Sequence, residues 1–372
     1  MSSPSDLEQR LAELADRGVT ILDPRQTYIA EDVAPSRICA GAVLHPGTRL
    51  SGSRLFVGPG AEVGTEGPAT LIDAALGEGV QVASGYVRGA VLLAGAKVGA
   101  NAHLRPGTLL EEQASTAHCV GLKHTILLAF VTLGSLINFC DCLMAGGTSR
   151  RDHSEVGSGF IHFNFTPWGE RGDKATPSLF GDVVGGVFLD QQRIFLGGSA
   201  GVIGPRRVGF GAITGAGQVV RLDVDGGQLA LQPLRALTRD VDRCQLDSLS
   251  PRLERNLEYI AQLTALHAWY REVRLARLSP GPTHTVVHHA LETLETCVRE
   301  RQARVVAFAH ERGASVEFGE PDVQPCPLRF EAGGDDHLTW VQGLAPEPKQ
   351  ALRTWLASIV AATLSSVSVS DA

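Results

Sequence analysis

The most regular feature of the chain is an aliphatic position that recurs every six residues through much of the first 220 residues. A period of six fits neither the 3.6-residue α-helix nor the two-residue alternation of a long strand. It is typical of a triangular solenoid in which each flat face takes one hexapeptide and a coil takes about 18 residues. The pattern therefore predicts a parallel β-helix over residues 18–224. The positions with this spacing are Ile38, Leu44 and Leu50, then Leu92, Val98, Leu104 and Leu110, and finally Leu196, Val202 and Val208.

The two flanking regions carry a helical pattern instead. Residues 1–17 contain a short amphipathic helix, with Leu7, Leu11 and Leu14 along one side. Residues 225–372 form a mostly helical C-terminal region, which we expect to pack on the solenoid or on another subunit because an open β-helix end needs covering. The hexapeptide pattern itself is interrupted by loops at 145–155 and 165–195, and such loops commonly carry binding groups.

Composition and charge exclude some classes of protein. The net charge of −7 gives no general reason to expect nucleic-acid binding. The N-terminus, Met1–Arg10, lacks a signal-peptide pattern, and seven scattered cysteines suit reduced thiols, so we expect a cytoplasmic protein. The apolar run Thr125–Phe139 is shorter than the roughly 20 residues that a membrane helix needs. It is interpreted as buried coils, with no membrane association.

Four motifs within residues 18–222 resemble those of one known family. In this order they are similar to the acetyltransferase domain of the bifunctional glucosamine-1-phosphate N-acetyltransferase / N-acetylglucosamine-1-phosphate uridyltransferase. The motifs are Gly18–Pro24 (GVTILDP), Leu104–Gly107 (LRPG) with Val120–Lys123 (VGLK), Val156–Gly159 (VGSG) leading to Asn164, and Ile194–Gly198 (IFLGG).

The resemblance implies a mainly β fold, a left-handed parallel β-helix, assembled as a homotrimer with ligand sites between subunits. Acetyl-CoA or another acyl-CoA would be the cofactor, and a sugar phosphate or nucleotide sugar the small-molecule ligand. In the family, the residues matching Arg105 and Lys123 hold the phosphate of the amino sugar. That role is physically reasonable, because two cations one coil apart can bracket a phosphate with charge-assisted hydrogen bonds.

Further site residues follow from the same resemblance. Asn138 takes the position of a tyrosine that accompanies the family's catalytic histidine, and Asn164 is the retained loop asparagine. Lys174 belongs to a polar loop that could grip a sugar or nucleotide. Cofactor binding is assigned to Ser158, Gly197 and Gly198, of which the two glycines match the coil against which the pantetheine arm lies in relatives.

One departure from the family concerns catalysis. The family's catalytic histidine aligns with Ser135, whose hydroxyl cannot act as a base near neutral pH without an activating partner. A histidine elsewhere could replace it, since imidazole is well suited to proton transfer near neutrality. His162 is the first candidate, because strand alternation would place it beside Asn164, and His153 is the second. His118 and His124 are further members of this group.

Three hypotheses stay open. The first is an acyltransferase-like protein, a CoA-dependent N- or O-acyltransferase. Uridyl transfer is not expected, since no nucleotidyltransferase domain precedes residue 18. The second is a non-catalytic trimeric binding or scaffold protein. The third is a rebuilt β-helix enzyme that uses a metal, suggested by Cys140-x-Cys142 next to several histidines. That spacing is too tight for a zinc hairpin, so the two thiols are interpreted as buried and no metal is expected.

Overall fold

The computed structural model describes residues 4–164, 176–232, 238, 249–334 and 336–371. Its larger part is a parallel β-solenoid of about 11 turns, followed by helices in the C-terminal region. The predicted fold class, a mainly β parallel β-helix with a helical C-terminal region, is confirmed. The observed strands run from Thr20 to Ala230, a little beyond the predicted boundary at 224.

Each coil contributes short strands to three flat faces. The first face contains Thr20–Ile21, Val43–Leu44, Glu62–Val63, Gln81–Val82, Lys97–Val98, Ser115–Thr116, Thr132–Leu133, Glu155–Val156, Phe195–Leu196, Ile213–Thr214 and Leu229–Ala230. The second face contains Tyr28–Ile29, Arg49–Ser51, Ala69–Ile72, Gly85–Arg88, Ala102–Leu104, Ile161–Phe163, Gly201–Ile203 and Val219–Val220. The third face contains Phe56–Val57, Ala75–Leu76, Ala90–Leu92, Thr108–Leu110, Ser178–Phe180 and Arg207–Val208. Two long strands, Gly121–Leu127 and Asn138–Met144, turn the corner from the second face to the third.

The solenoid interior is a stack of aliphatic and aromatic side chains. On the second face, Leu104 pairs with Val87 in the preceding coil and with Leu122 in the next, and all three side chains are fully buried. Burying such a side chain contributes about 1.5–3 kcal/mol each. The aliphatic residues with the six-residue period are thus those that point into the solenoid, while their neighbours along each strand face outward.

A helix covers the N-terminal end of this interior. The first helix, α1 (Pro4–Asp16), packs against the first coil, and its Leu11 and Leu14 join the solenoid core. This covering protects the apolar interior and the strand edge of the first coil from solvent.

The loop predicted at 165–195 is not continuous. Ser178–Phe180 returns to the third face, where it pairs with Asn138–Met144 and Arg207–Val208. A short helix, α2 (Val183–Gly186), then forms part of a second excursion. The interruption predicted at 145–155 ends at the first-face strand Glu155–Val156.

The C-terminal helices lie along a side of the solenoid rather than over its end. They are α3 (Leu249–Trp269), continued by a π-helix at Tyr270–Arg274 and a 3₁₀ turn at Leu275–Arg277, then α4 (Pro282–His310), α5 (His337–Gln342) and α6 (Pro346–Ser365). An antiparallel pair, Ala314–Phe318 and Val367–Asp371, completes the region. Other 3₁₀ turns occur at Pro24–Gln26 and Pro35–Arg37. α3 and α4 contact the third face.

The third face is apolar on both sides, which explains this packing. From Phe56 to Leu179 its outward side chains form one cluster with the helices, so these strands are buried on both sides, whereas the last strand exposes Arg207. These outward residues are Phe56, Ala75, Val91, Leu109, Ile126, Leu143 and Leu179. Double burial also accounts for the first part of the apolar run, Thr125–Leu127, since strands covered on both faces need no polar alternation, whereas Leu136, later in the run, is 62% exposed. Within the described part of the chain, no helix is sufficiently long and apolar to span a membrane.

Candidate functional site

The two predicted phosphate ligands lie on adjacent strands at the end of the second face. Leu104 and Leu122 are register partners and point inward, so the next residues, Arg105 and Lys123, stand side by side on the outside. The backbone N–H of Arg105 donates to the carbonyl of Leu122 at 3.0 Å. Strands paired in this way are about 4.8 Å apart.

Much of the hydrogen-bonding capacity of Arg105 is unused. Its Nη2 donates to Cys140 Sγ at 3.4 Å, and its Nε is buried without a partner in the described structure. A sulfur atom is a weak acceptor. Burial raises the pKa of the Cys140 thiol, which therefore stays neutral here. A phosphate oxygen would be a much stronger acceptor for this guanidinium.

A third cation, not predicted as a site residue, precedes these two in the same row. Val87 pairs with Leu104, so the next residue, Arg88, occupies the position before Arg105. Its side chain is exposed. Its distance of 17 residues from Arg105 is about one coil, so the sequence signal was available. We call Arg88, Arg105 and Lys123 the cation row.

The middle of the second face is open. Outward positions there are His103, Gly121 and Asn138, which pair in register across three coils. Gly121 does not have the left-handed backbone that favours glycine, and a Cβ there would meet Asn138 Oδ1 only at 4.0 Å. Its effect is therefore to leave the surface without a side chain between the cation row and the opposite edge. Asn138 Oδ1 accepts a hydrogen bond from Cys140 Sγ at 3.1 Å.

The opposite edge, between the first and second faces, carries two exposed hydroxyls and a histidine. The Oγ atoms of Ser135 and Ser158 are 3.1 Å apart, and the backbone N–H of Ser135 donates to Ser158 Oγ at 3.0 Å. His118 lies one coil earlier, because Leu136 N donates to its carbonyl at 3.1 Å. Its side chain is exposed. We call His118, Ser135 and Ser158 the serine corner.

The predicted cofactor-binding residues come together along this corner. The backbone N–H of Ser199 donates to the carbonyl of Ser158 at 2.7 Å. A Cβ on Gly198 would lie 2.8 Å from Ser158 O, and one on Gly197 would lie 2.4 Å from Ala216 N. Close stacking of the coils therefore requires glycine at both positions. Their role in holding a cofactor stays a prediction.

His162, the first candidate base, points into the solenoid. It pairs with Val202 in the inward column, is 2% exposed and lies between Phe139 and Phe180. Its Nδ1 is bonded to Cys140 O at 2.6 Å and its Nε2 to Ser178 Oγ at 2.7 Å. Burial lowers the pKa of His162 to about 4. Strand alternation thus turns His162 inward, and this position argues against a base that meets a surface ligand.

His153, the second candidate, lies at another corner. It precedes the first-face strand Glu155–Val156, its Nδ1 contacts Arg150 O at 3.0 Å, and its Nε2 is 3.7 Å from Glu155 Oε2. The loop that carries it connects the third face to the first, whereas the cation row ends the second face. Within one chain, the structure does not bring His153 to the cation row.

His124 follows Lys123 at the corner and is enclosed by α4. Its Nε2 is 3.8 Å from Glu300 Oε1, and a Cβ on Gly107 would lie 2.4 Å from its Nδ1. Burial lowers the pKa of His124, while Glu300 opposes that shift. Its contacts are those of a packing residue between the solenoid and α4.

Asn164 takes part in a buried polar contact where the second face ends. Its Nδ2 donates to Asp141 Oδ2 at 2.5 Å, and Arg301 of α4 pairs with Asp141 Oδ1 at 2.5 Å. Burial opposes ionisation of Asp141, but Arg301, the hydrogen bond from Asn164 and Arg304 together outweigh it, and the pKa of Asp141 is lowered. Asn164 is the last described residue of this part of the second face. Lys174, also predicted in the site, and Phe165 lie outside the described residues.

The two cysteines of the Cys140-x-Cys142 pair do not converge on a ligand. The Cys140 thiol lies on the outer side, against Arg105, whereas Cys142 is buried in the solenoid core and donates to the carbonyl of Cys140 at 3.3 Å. Among the described residues, no group of three or more His, Cys, Asp or Glu side chains is arranged to hold a metal ion.

Comparison with known proteins identifies relatives of the solenoid. No family model matches the chain. The bifunctional protein GlmU of Nocardia farcinica is 32% identical over 214 residues, covering 58% of this chain and 38% of that protein. GlmU of Mycobacterium bovis is 31% identical over 228 residues, covering 61% and 41% of the two chains. GlmU of Thermotoga petrophila is 29% identical over 233 residues, covering 62% and 46%.

These relatives confirm the resemblance recognised from the motifs and support an acyltransferase-like β-helix domain. The chain spans less than half the length of the GlmU proteins it matches.

Proposed function

We propose that the protein binds a sugar phosphate or nucleotide sugar on the second face of the β-helix, at an interface between three copies of the chain. The phosphate lies against Arg105 and Lys123, the sugar over Gly121 and Asn138, and an acyl-CoA along the serine corner. The trimer and the cytoplasmic location are parts of the same proposal.

One observation carries this proposal. Arg105 and Lys123 are adjacent, half-buried and without an ion-pair partner among the described residues. Arg105 donates one hydrogen bond to the Cys140 thiol, which is a weak acceptor. Partly buried cations that lack an internal counter-charge are costly unless a ligand supplies one. A phosphate supplies that charge and accepts several hydrogen bonds.

For catalysis, His118 is the base that the geometry favours. It lies one coil from Ser135, the position of the family's histidine, and on the open side of the second face. Lys123 is five positions after His118, so their Cα atoms are at most about 18 Å apart. The two side chains can therefore contact the same bound sugar phosphate from opposite ends. The imidazole removes a proton from the sugar amine or hydroxyl. The amine nitrogen or hydroxyl oxygen then bonds to the thioester carbonyl carbon and the carbon–sulfur bond breaks. The imidazolium returns the proton to the departing sulfur, so CoA leaves as the thiol.

The binding step is tested by titrating glucosamine 1-phosphate into the wild type and the Arg105→Gln and Lys123→Gln variants in a calorimeter. Each substitution should weaken binding by about tenfold or more, because it removes a charge-assisted hydrogen bond. Lys97→Gln, which removes an exposed charge from the first face, is the matched control and should leave the affinity unchanged. Equal affinity in all four proteins would overturn the proposal.

A second candidate is a non-catalytic sugar-phosphate binder. Ser135 in place of the base, and the enclosure of His162, favour it. The two candidates differ in an acyl-transfer assay that follows the release of CoA thiol. Under the catalytic proposal, His118→Gln lowers turnover by about 10²–10⁴-fold without changing sugar-phosphate affinity. No thiol release from the wild type, with sugar-phosphate binding intact, selects the binder.

A further inference from the structure

We infer that the cation row selects a diphosphate, so that the natural ligand is a nucleotide sugar rather than a sugar monophosphate. This inference rests on the proposed function and narrows its substrate class. The residue that adds the selectivity is Arg88, which none of the comparisons assigns to a site.

The length of the row fits two phosphates. Successive strands are about 4.8 Å apart, so a phosphate between Arg105 and Lys123 leaves Arg88 one strand further along. A single phosphate that contacts Lys123 would leave Arg88 without an anion. A second phosphate, joined to the first through a bridging oxygen, would lie between Arg105 and Arg88.

The charges around the row are arranged to leave it positive. Three nearby carboxylates are engaged by other cations: Asp141 pairs with Arg301, Glu300 with Arg304, and Glu292 with Arg54. Asp73, beside Arg88, accepts the backbone N–H of Arg54 at 3.1 Å. Among the described residues, no carboxylate forms an ion pair with any member of the row. An uncompensated row of this kind attracts a ligand with more than one negative charge.

The space beyond Arg88 gives the rest of such a ligand a place to bind. A pocket of about 230 Å³ opens between this corner and α4. Arg88, Gly107, Thr293 and Thr296 line part of its wall. The sugar would lie over Gly121, the two phosphates along the row, and the nucleoside toward this pocket.

The test compares two probes that share a sugar and differ by one nucleotide: N-acetylglucosamine 1-phosphate and UDP-N-acetylglucosamine. By calorimetry, the wild type should bind the diphosphate probe at least about tenfold more tightly. Arg88→Gln should weaken that binding by about tenfold and change the affinity for the monophosphate probe by less than about twofold. Lys97→Gln should change neither.

Each other outcome has a distinct meaning. Equal weakening of both probes, or no effect of Arg88→Gln on either, overturns the diphosphate inference and leaves the proposed function standing. Coenzyme A also carries a diphosphate, so it is titrated in parallel. Loss of coenzyme A binding alone would assign Arg88 to the cofactor and contradict the inference. Failure of the wild type to bind either sugar probe overturns the inference and the proposed function together.

Discussion

The second and third faces of the solenoid share one inward pattern and differ over most of their outer surface. Inward, both present fully buried aliphatic residues such as Leu104 and Leu110. Outward, the third face presents aliphatic and aromatic side chains to α3 and α4, whereas the second presents His103, Gly121 and Asn138 to solvent. The inward hydrophobic positions therefore determine the β-helical fold. The outward positions between them determine whether a face packs against helices or is open to a ligand.

Charge follows the same division. Under the helices, Arg274 pairs with Glu111 and Glu112, and Arg301 with Asp141, because a buried cation needs a partner. On the second face, the cation row has no such partner among the described residues. Arg274 and Arg301 thus connect the helices to the solenoid through ion pairs, whereas the cation row is available to bind an anionic ligand.

The largest effect is expected from breaking a buried pair. Arg301→Ala leaves the Asp141 carboxylate buried and uncompensated, which costs about 3–5 kcal/mol of unfolding free energy. Urea denaturation measures this loss. Arg299→Ala, which removes an exposed pair with Glu295 on the same helix, is the control and should cost less than about 1 kcal/mol. A loss below about 1 kcal/mol for Arg301→Ala would contradict the assignment.

Truncation of an outward side chain should separate the two faces next. Leu109 points out of the third face but is fully buried under the helices, so Leu109→Ala should destabilise the protein by about 2–5 kcal/mol. Thr70 occupies an outward position on the second face, and Thr70→Ala should change stability by less than about 1 kcal/mol. Similar losses in both variants would mean that the second face is also a packing surface.

A pH effect of intermediate size is expected where two carboxylates share one arginine. Burial raises the pKa of Glu111 to about 7 against the attraction of Arg274, and the like charge of Glu112 adds to the rise. The folded state then holds a proton that the unfolded state releases above its ordinary pKa. Stability from Glu111 is present below about pH 4.5 and is lost as the pH rises toward 7, by an amount on the order of 2–3 kcal/mol.

Unfolding free energies of the wild type and Glu111→Gln, measured from pH 4.5 to 7.5, isolate this contribution. The difference between the two proteins should shift in favour of the variant as the pH rises. A difference that stays constant across this range would show that Glu111 remains ionised.

The smallest change in stability, together with a large change in ligand affinity, is expected from substitution of Gly121, in the open middle of the second face. Gly121→Val places a side chain where a sugar would lie, in a strand backbone that valine favours. Unfolding free energy should change by less than about 1 kcal/mol, while affinity for glucosamine 1-phosphate should fall by about tenfold or more. Gly107→Val, at φ +79° and against His124, is the contrast and should destabilise the fold.

The sequence was sufficient for the scaffold because the six-residue spacing of residues such as Leu92, Val98 and Leu104 is a local signal. Which side of a strand faces the interior was harder to predict. His162 was chosen because it shares one side of the strand with Asn164, but that side faces inward, and its neighbours Ile161 and Phe163 are the exposed residues. A polar residue satisfied by Cys140 O and Ser178 Oγ cannot be recognised until the fold brings these atoms together.

The helical region shows the same limit of local patterns. The sequence predicted a mostly helical region over residues 225–372, but not that its helices would cover the third face. That information lay in the outward residues of the third face, such as Leu109 and Leu143, and appears only when inward and outward positions are distinguished. Arg88 was not predicted, although its 17-residue distance from Arg105 was visible, because that distance indicates neighbouring positions only once the register of the two strands is known.

The most direct test of the central claim is a crystal structure of the protein bound to N-acetylglucosamine 1-phosphate. The account predicts phosphate oxygens within about 3 Å of both the Arg105 guanidinium and the Lys123 ammonium, with the sugar over Gly121. A phosphate bound at another surface, with these two cations still facing solvent, would contradict it.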